Sequence, residues 1–392
     1  MKVAQFSDLH YCGKHLDWVD RAMGFAVLDA IARGAEVGIL SGDSFDTEVP
    51  LQHPAVYRLI ERVQMLADHM PVLILQGTFS HDRPGCLNVF KSLRTKFPVH
   101  VADKTGMVGL YGSPLHCDGW RDPATVPAGF MSPRLLVSAL PSVNRAEIQA
   151  NNPDEKTSAY LDRQFAEWNP LNQDARAAGI PTVLVSHGTV NGCVTESKQA
   201  MISPDHEFGT AALFSAGASA VMLGHIHAHQ GWETPDGRRI AYPGSITKLI
   251  YGHAASCGYL LWDVDPYGAE YTLVETPHRQ LIDIEFSGPP DLQQLQRRLA
   301  TCKGAFVRLR YQVDEEHRQA VDQQGLRDIL AAAGLADYKV EGKINPIQRT
   351  RASGISGMTS IEERLKKWCE LTSTAPAPLL QRLTTLQQGD EA

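Results

Sequence analysis

Residues 37–46 read VGILSGDSFD, an apolar run that ends in a glycine and two aspartates. This form recurs in VAQFSDLH (3–10), PVLILQGTFSHD (71–82), VLVSHG (183–188) and AVMLGHIH (220–227). Each stretch predicts a short buried strand that breaks at polar residues. In an open α/β sheet, ligands bind in the crevice outside the carboxyl ends of the strands. The five strand ends are therefore expected to meet at one site.

Helical patterns separate these strands. Residues 17–33 and 54–70 have apolar residues at helical spacing, and alternation of strands with helices predicts an α/β core with a largely parallel sheet. The order of predicted elements changes at Asp283. The β-α-β-α-β pattern that follows predicts a smaller domain. Residues 114–180 are rich in Pro, Trp and Asn, which predicts an irregular insertion with one helix near residues 158–168.

Charge is distributed unevenly along the 392 residues. Residues 1–278 contain 21 Lys and Arg against 29 Asp and Glu, whereas residues 279–384 contain 16 against 13. We therefore expect three parts: a first domain at 1–278, a second domain at 279–345 and a helical tail at 346–392. In the tail, residues 361–371 form an amphipathic pattern, and this helix is expected to pack either on its own domain or on a partner helix.

Composition excludes several classes of protein. The chain is 43% hydrophobic and 21% charged, which argues against disorder, and no apolar run approaches a membrane span. The amino terminus does not read as a signal peptide. Seven scattered cysteines without a CxxC pair are typical of a reducing compartment, so a cytoplasmic location without membrane association is expected. The unusual feature is histidine, with 15 residues.

The strand-end residues are candidate metal ligands: Asp8, His10, Asp43, His187, His225 and His227. In a D-x-H or H-x-H pair, an extended backbone places both side chains on one side. Imidazole and carboxylate without thiolate suit Mn²⁺, Fe or Zn²⁺ better than Mg²⁺ or Ca²⁺. A single D-x-H or buried histidine is more often structural, but the whole set at consecutive strand ends favours a metal centre.

The order D-x-H, G-D-x-x-D, H-D, H and G-H-x-H over residues 1–275 resembles the calcineurin-like metallophosphoesterase superfamily. Within it the chain most resembles the SbcD family, the nuclease subunits of SbcCD DNA double-strand-break complexes. SGDSFDT (41–47), YPGS (242–245) and the β-α-β-α-β unit near residues 280–345 carry this narrower resemblance. The resemblance implies a two-sheet α/β sandwich with a smaller α+β capping domain.

The resemblance also implies ligand roles for two divalent cations, taken to be Mn²⁺. One cation would be held by Asp8, His10, Asp43 and His227, and the other by Asp43, His187 and His225. His81 would be catalytic, protonating the leaving oxygen or stabilising charge on the phosphate. One departure concerns the family's Gly-Asn-His-Asp, which here is the two-residue-longer GTFSHD (77–82) with Ser80 in place of Asn. We expect the second cation to be held more weakly as a result.

The implied function is a Mn-dependent DNA nuclease, acting as double-strand exonuclease and single-strand or hairpin endonuclease in DNA end processing and repair. Its implied partners are DNA, a second copy of the chain contacted through helices at residues 54–70 and 87–97, and an SbcC-like coiled-coil ATPase. A net charge of −7 is unusual for a DNA-binding protein. The basic candidates for a DNA contact are Arg297, Arg298, Lys303, Arg308, Arg310, Arg349 and Arg351.

Two other functions stay open from the sequence. One is a different metallophosphoesterase, acting on nucleotides, small phosphodiesters or phosphoproteins with the same metals. The second is a non-catalytic DNA-end-binding subunit, motivated by the missing Asn.

Overall fold

The structure is a computed structural model that describes residues 1–47, 49–113, 117–127, 129–143, 148–150, 153, 155–199, 207–346 and 354–389. The chain forms two compact units. The larger comprises Met1–Asp283 with Gly304–Arg308, and the smaller comprises Ile284–Lys303 with Leu309–Ala392. Elements are numbered in chain order throughout.

The first sheet has six strands. Its parallel part contains β1 (Lys2–Phe6), β2 (Val37–Leu40), β3 (Val72–Leu75) and β4 (Val99–Ala102). Strands β14 (Gly258–Val264) and β15 (Ala269–Glu275) extend it antiparallel, giving the order β15-β14-β1-β2-β3-β4. The connecting helices are α1 (Leu16–Ala32), α2 (Pro54–Ala67) and the short α3 (Asn88–Lys91).

The second sheet has seven strands in the order β12-β13-β11-β8-β7-β5-β6. Its parallel part contains β7 (Leu135–Leu140), β8 (Thr182–His187), β11 (Ala220–Gly224) and β13 (Arg239–Tyr242). The antiparallel strands are β5 (Gly106–Gly112), which pairs with β7, and the two edge strands β6 (Cys117–Arg121) and β12 (Gln230–Glu233). Beside this sheet lie the β9 (Thr189–Val190) and β10 (Glu207–Phe208) pair and the helices α4 (Thr157–Ala177) and α5 (Thr210–Ser215).

Period-two alternation in the strands builds the layers. Val3, Ile39 and Leu73 point between the two sheets, where they share a buried cluster with Met222 and Trp262. The intervening residues of the first sheet pack with α1 and α2, and the outer face of the second sheet packs with α4 and α5. The four layers confirm the predicted two-sheet α/β sandwich, although the first sheet is antiparallel at one edge and the second at both edges.

The smaller unit is built around a three-stranded sheet in the order β16 (Leu281–Phe286), β17 (Phe306–Asp314) and β18 (Asp337–Asn345). Between these strands run α6 (Leu292–Leu299) and α7 (Gln323–Ala332), whose leucines are buried, as the β-α-β-α-β pattern predicts. The tail helices are α8 (Ile361–Thr372) and α9 (Pro376–Gly389). In the described part of the chain, no helix has the length and apolarity needed to cross a membrane.

Two sequence predictions of structure are wrong. The stretch 114–180 is not an irregular insertion, because its described residues include β7, an interior strand, and the 21-residue helix α4. The helix predicted near residues 158–168 is present as the first part of α4. Prolines concealed β7, which Pro141 follows, and the second half of α4, where Pro170 breaks the helical pattern. The helix expected at residues 87–97 is only the four-residue α3, so most of that proposed dimer surface is not helical.

Candidate metal centre

The candidate ligands converge at the carboxyl ends of strands from both sheets. In the first sheet, Asp8 and His10 follow β1 and Asp43 follows β2. In the second, His187 ends β8, and His225 and His227 follow β11. Ligand atoms of Asp8, His10 and His227 lie within 4.8 Å of one another, and so do those of Asp43, His187 and His225. The structure therefore brings all six residues together in two groups.

The backbone at these strand ends is strained. Asp8, His10 and Asp43 have φ values of 50°, 51° and 50°, in the left-handed region that non-glycine residues rarely adopt, and His225 has a φ of 103°. Such residues cost on the order of 1–3 kcal/mol each and cluster at functional sites. Two backbone hydrogen bonds hold them, from Asp8 N to Gly42 O at 3.2 Å and from His10 N to Asp43 O at 3.0 Å.

Two glycines allow the chains to approach one another closely. A Cβ on Gly42 would lie 2.2 Å from His187 Nδ1, and one on Gly77 would lie 2.3 Å from Asp43 Oδ1. Both distances are far below a permitted contact, so a side chain at either position would displace a candidate ligand. The glycines in the S-G-D and Q-G-T turns are thus required by packing around the site.

The first group contains one carboxylate and two imidazoles. His227 Nε2 lies 3.7 Å from Asp8 Oδ1 and 2.9 Å from His10 Nε2. Burial lowers the pKa of His227, which favours the neutral form that a metal requires. Burial also acts to lower the pKa of His10, but the hydrogen bond with Asp46 and the charges of Asp43 and Asp8 outweigh it and raise that pKa.

The second group is arranged around Asp43. His187 Nε2 lies 3.2 Å from Asp43 Oδ2, while His187 Nδ1 donates to Ser41 O at 2.8 Å and so fixes the ring. Burial opposes charge on both partners, yet their attraction dominates: it raises the pKa of His187 to about 9 and holds the pKa of Asp43 well below its usual range. Burial, with the charge of His187, lowers the pKa of His225 to about 4.

The electrostatics fit two bound cations. Asp8 and Asp43 are almost fully buried, and among the described residues their ion-pair partners are histidines rather than Lys or Arg. Buried carboxylates need a compensating charge. The buried nitrogens His10 Nδ1 and His187 Nε2 face carboxylate oxygens, those of Asp46 at 3.4 Å and Asp43 at 3.2 Å, and neither contact has good hydrogen-bond geometry. Divalent cations between these residues would satisfy both requirements.

His81 lies beside both groups and is accessible to solvent. Its Nδ1 donates to the backbone carbonyl of Asp46, which leaves Nε2 directed at the site, 4.0 Å from Asp43 Oδ2. The side chain is 28% exposed, whereas that of His187 is fully buried. A histidine with one fixed nitrogen and one open nitrogen is suited to proton transfer.

The long loop before His81 places an unpredicted residue at the site. Ser80, expected to stand in for the family's Asn, is exposed, and its Oγ lies 3.5 Å from Thr78 Oγ1. Thr78 instead contacts the site: its N–H and its hydroxyl both donate to Asp43 Oδ1 at 2.8 Å. The sequence carried no signal for this contact, because it depends on the conformation of the two extra residues.

Asp82 is a second residue whose role the sequence did not specify. Its fully buried carboxylate accepts backbone N–H groups from Ser44 at 3.1 Å, Phe45 at 3.2 Å and Gly77 at 3.0 Å. Burial and the nearby charge of Asp43 raise the pKa of Asp82 to about 6. The side chain joins the loops after β2 and β3, and so positions Asp43 and His81 relative to each other.

Comparisons with known proteins give only distant similarities. No family model matches the sequence, and no curated protein matches it. Among solved structures, the chain is similar to a dimetal phosphatase from Danio rerio, with 10% identity over 70% of this chain and 99% of that one and a TM-score of 0.39. It is also similar to the Haemophilus influenzae NAD nucleotidase NadN, with 10% identity and a TM-score of 0.36. That similarity covers 69% of this chain, which spans about half, 49%, of the nucleotidase.

Proposed function

We propose that the protein is a metal-dependent hydrolase of phosphoesters that uses two divalent cations. The observation that carries this proposal is the pair of Asp/His groups at one edge of both sheets, with the partly exposed His81 beside them. Asp8, His10 and His227 would hold one cation, and His187 and His225 the other. Asp43 belongs to the second group and, by resemblance, would also bridge to the first.

The cations would supply Lewis acidity, stabilising negative charge on the phosphate and lowering the pKa of water. Residues of the protein carry out the proton transfer and orient the reacting groups. Water adds to phosphorus as the bond from phosphorus to the leaving oxygen breaks. His81, protonated on both ring nitrogens, gives the leaving oxygen the proton of Nε2, and the proton that the water loses restores Nε2 at the end of the cycle. The carbonyl of Asp46 keeps the other ring nitrogen protonated and the ring oriented. Thr78 orients the carboxylate of Asp43 through two hydrogen bonds.

We infer that nucleotides or small phosphodiesters are better substrate candidates than duplex DNA. Two of the arginines expected to contact DNA are already paired with carboxylates. Arg308 Nη2 lies 2.6 Å from Asp283, and Arg310 Nη1 lies 2.9 Å from Glu285. A guanidinium group already paired with a carboxylate contributes less to neutralising DNA phosphates. Neutralisation of phosphates supplies most of a protein's affinity for nucleic acid. Arg349 and Arg351 lie outside the described residues.

A DNA nuclease remains a more specific alternative function, supported by the sequence resemblance. We also retain four proposals made from the sequence: that the cation is Mn²⁺, that the protein is cytoplasmic, that it forms a homodimer and that its partner is an SbcC-like ATPase. The exposed apolar residues Ile361, Trp368 and Leu371 on α8 are compatible with a partner helix.

One experiment separates these possibilities. The protein is stripped with EDTA, reloaded with Mn²⁺, Fe²⁺, Zn²⁺ or Mg²⁺, and assayed for metal content. Each form is then given bis-p-nitrophenyl phosphate, p-nitrophenyl phosphate, and linear duplex, hairpin and single-stranded DNA. We expect hydrolysis of the small diester and little cleavage of DNA. Efficient DNA cleavage would restore the nuclease proposal, and bound metal without hydrolysis of any substrate would indicate a non-catalytic protein.

A further inference from the structure

A pocket of about 590 Å³ lies in the larger unit, and residues that follow β3 and β7 contribute to its wall. Its wall includes Gln76 and Phe79, from the same segment as Thr78 and His81, and Ser142 after β7. These residues connect it to the site. Gln76 Nε2 donates to the backbone carbonyl of Asp82 at 2.9 Å, and Ser142 Oγ donates to that of His187 at 3.4 Å. The pocket and the candidate ligands are therefore built on the same strand ends.

The lining combines aromatic and aliphatic walls with several polar and charged groups, among them Asp103, Lys104, Glu155 and Arg163. Phe79 and Tyr160 are half-buried aromatic walls, and Val143 and Ile148 add aliphatic surface. Arg163 lies over the Tyr160 ring at 5.3 Å and is paired with Glu155 at 3.2 Å, which fixes both side chains. Small-molecule sites usually have volumes of about 300–1,000 Å³, so this pocket is large enough for a small ligand.

We propose that this pocket binds the nucleoside of a nucleotide substrate, with the base against Phe79 or Tyr160 and the phosphate at the metal centre. The inference rests on the proposed phosphoesterase function and narrows it to nucleotide esters. Bases stack on aromatic side chains, and the pocket offers Phe79 and Tyr160 for such contacts. Phe79 links recognition to catalysis, since it lies two residues before His81 in the same loop.

Binding is tested first without catalysis. Adenosine is titrated into EDTA-treated protein by NMR, and wild type is compared with Phe79→Ala, Tyr160→Ala and Tyr267→Ala. Tyr267 is a highly exposed tyrosine outside the pocket and serves as the matched control. Each pocket variant should weaken adenosine binding about tenfold, as expected for one stacking contact, while the control binds as wild type does. No adenosine binding by wild type, or equal binding by all variants, would overturn the proposal.

Selectivity is tested with the metal-loaded protein. The p-nitrophenyl ester of adenosine 5′-monophosphate and methyl p-nitrophenyl phosphate share the leaving group but differ in the nucleoside. The ratio of their kcat/KM values should fall about tenfold in the Phe79→Ala and Tyr160→Ala variants. A ratio near one in wild type would overturn the nucleoside pocket while leaving the phosphoesterase intact. If neither ester is hydrolysed, the proposed function fails, and the adenosine titration still decides whether the pocket binds nucleosides.

Discussion

Both carboxylate oxygens of Asp8 accept the backbone N–H of His225 at 3.1 Å, although 217 residues separate the two. Asp8 follows the first strand of one sheet, and His225 follows a central strand of the other. The hydrogen bonds therefore join the two sheets at the metal centre and fix the direction of the carboxylate. Asp8 thus has two roles: its charge would hold a metal, and its hydrogen bonds hold the two sheets together. A substitution that keeps the hydrogen bonds but removes the charge can test the two roles separately.

Replacing Asp8 with Asn should abolish metal binding in the first group without unfolding the protein. Asn keeps a carbonyl oxygen for the His225 N–H but removes the negative charge that a cation requires. Loss of a residue that only supports a metal ligand lowers metal affinity by up to about 100-fold. Because Asp8 is itself a proposed ligand, we expect its replacement to lower affinity by at least about that factor. Calorimetric titration with Mn²⁺ measures this, with the exposed Asp17→Asn variant as control. Unchanged stoichiometry and affinity would remove Asp8 from the ligand set.

Replacing His81 with Gln should separate catalysis from metal binding. Loss of a positioned acid–base group costs typically 10²–10⁴-fold in rate, so kcat should fall by about that factor. Metal content should stay at the wild-type level, because the proposed ligands do not include His81. His69→Gln, at an exposed histidine after α2, is the control. Since His81 also groups with His10 and Asp46, a parallel loss of metal would mark it as a ligand instead.

The sequence predicted those parts of the site that depend on strand ends. Asp8, Asp43 and His187 directly follow or end apolar runs, and the rule for α/β sheets brings such residues together whatever the loops do. Thr78 escaped prediction because its contact with Asp43 depends on a loop conformation that spacing does not determine. Strand β7 escaped because proline, tryptophan and asparagine around it concealed the apolar run LLVSAL. The antiparallel edge strands β6, β12 and β15 each form a hairpin with the strand next to them along the chain. Which sheet each hairpin joins depends on long-range pairing that local pattern does not encode.

Replacing Gly42 with Ala should destabilise the protein more than a similar change elsewhere. Gly42 has a φ of 103°, and a Cβ there would lie 2.2 Å from His187 Nδ1. The matched control is Gly179→Ala, where φ is 81° but no atom lies within 4 Å of the added Cβ. The control should lose about 1–3 kcal/mol from backbone strain alone, and Gly42→Ala clearly more. Urea unfolding of the metal-free proteins compares them, and equal losses would contradict the packing argument.

Removing the Thr78 hydroxyl should weaken metal binding, whereas removing the Ser80 hydroxyl should not. Thr78 Oγ1 donates to Asp43 Oδ1 at 2.8 Å, and hydrogen bonds to charged groups are worth about 1.5–3 kcal/mol. Thr78→Val should therefore lower affinity at the second group by at least about tenfold, and Thr78→Ser should retain most of it. Ser80→Ala tests the alternative assignment within the same loop. A larger effect from Ser80→Ala than from Thr78→Val would return Ser80 to the site.

The stability of the metal-free protein should fall as pH drops from 6.5 to 4, in part because of His253. This side chain is 4% exposed, its Nε2 lies 3.2 Å from Cys257 Sγ, and burial lowers its pKa from 6.5 to about 4. Above pH 6.5 the residue is neutral in both states and its contribution is constant. Between pH 6.5 and 4 the unfolded chain binds a proton that the folded protein excludes. The free energy of unfolding therefore falls by up to about 1.4 kcal/mol per pH unit.

His253→Asn removes this titration, so the free energy of unfolding should depend less steeply on pH in the variant over that window. Urea titrations in EDTA at pH 7, 6, 5 and 4 measure the difference between wild type and variant, which cancels the contribution of the other histidines. The same series on His69→Gln, where the side chain is exposed, should reproduce the wild-type slope. Parallel curves for wild type and His253→Asn would show that His253 is protonated in the folded protein and that its burial does not exclude the charge.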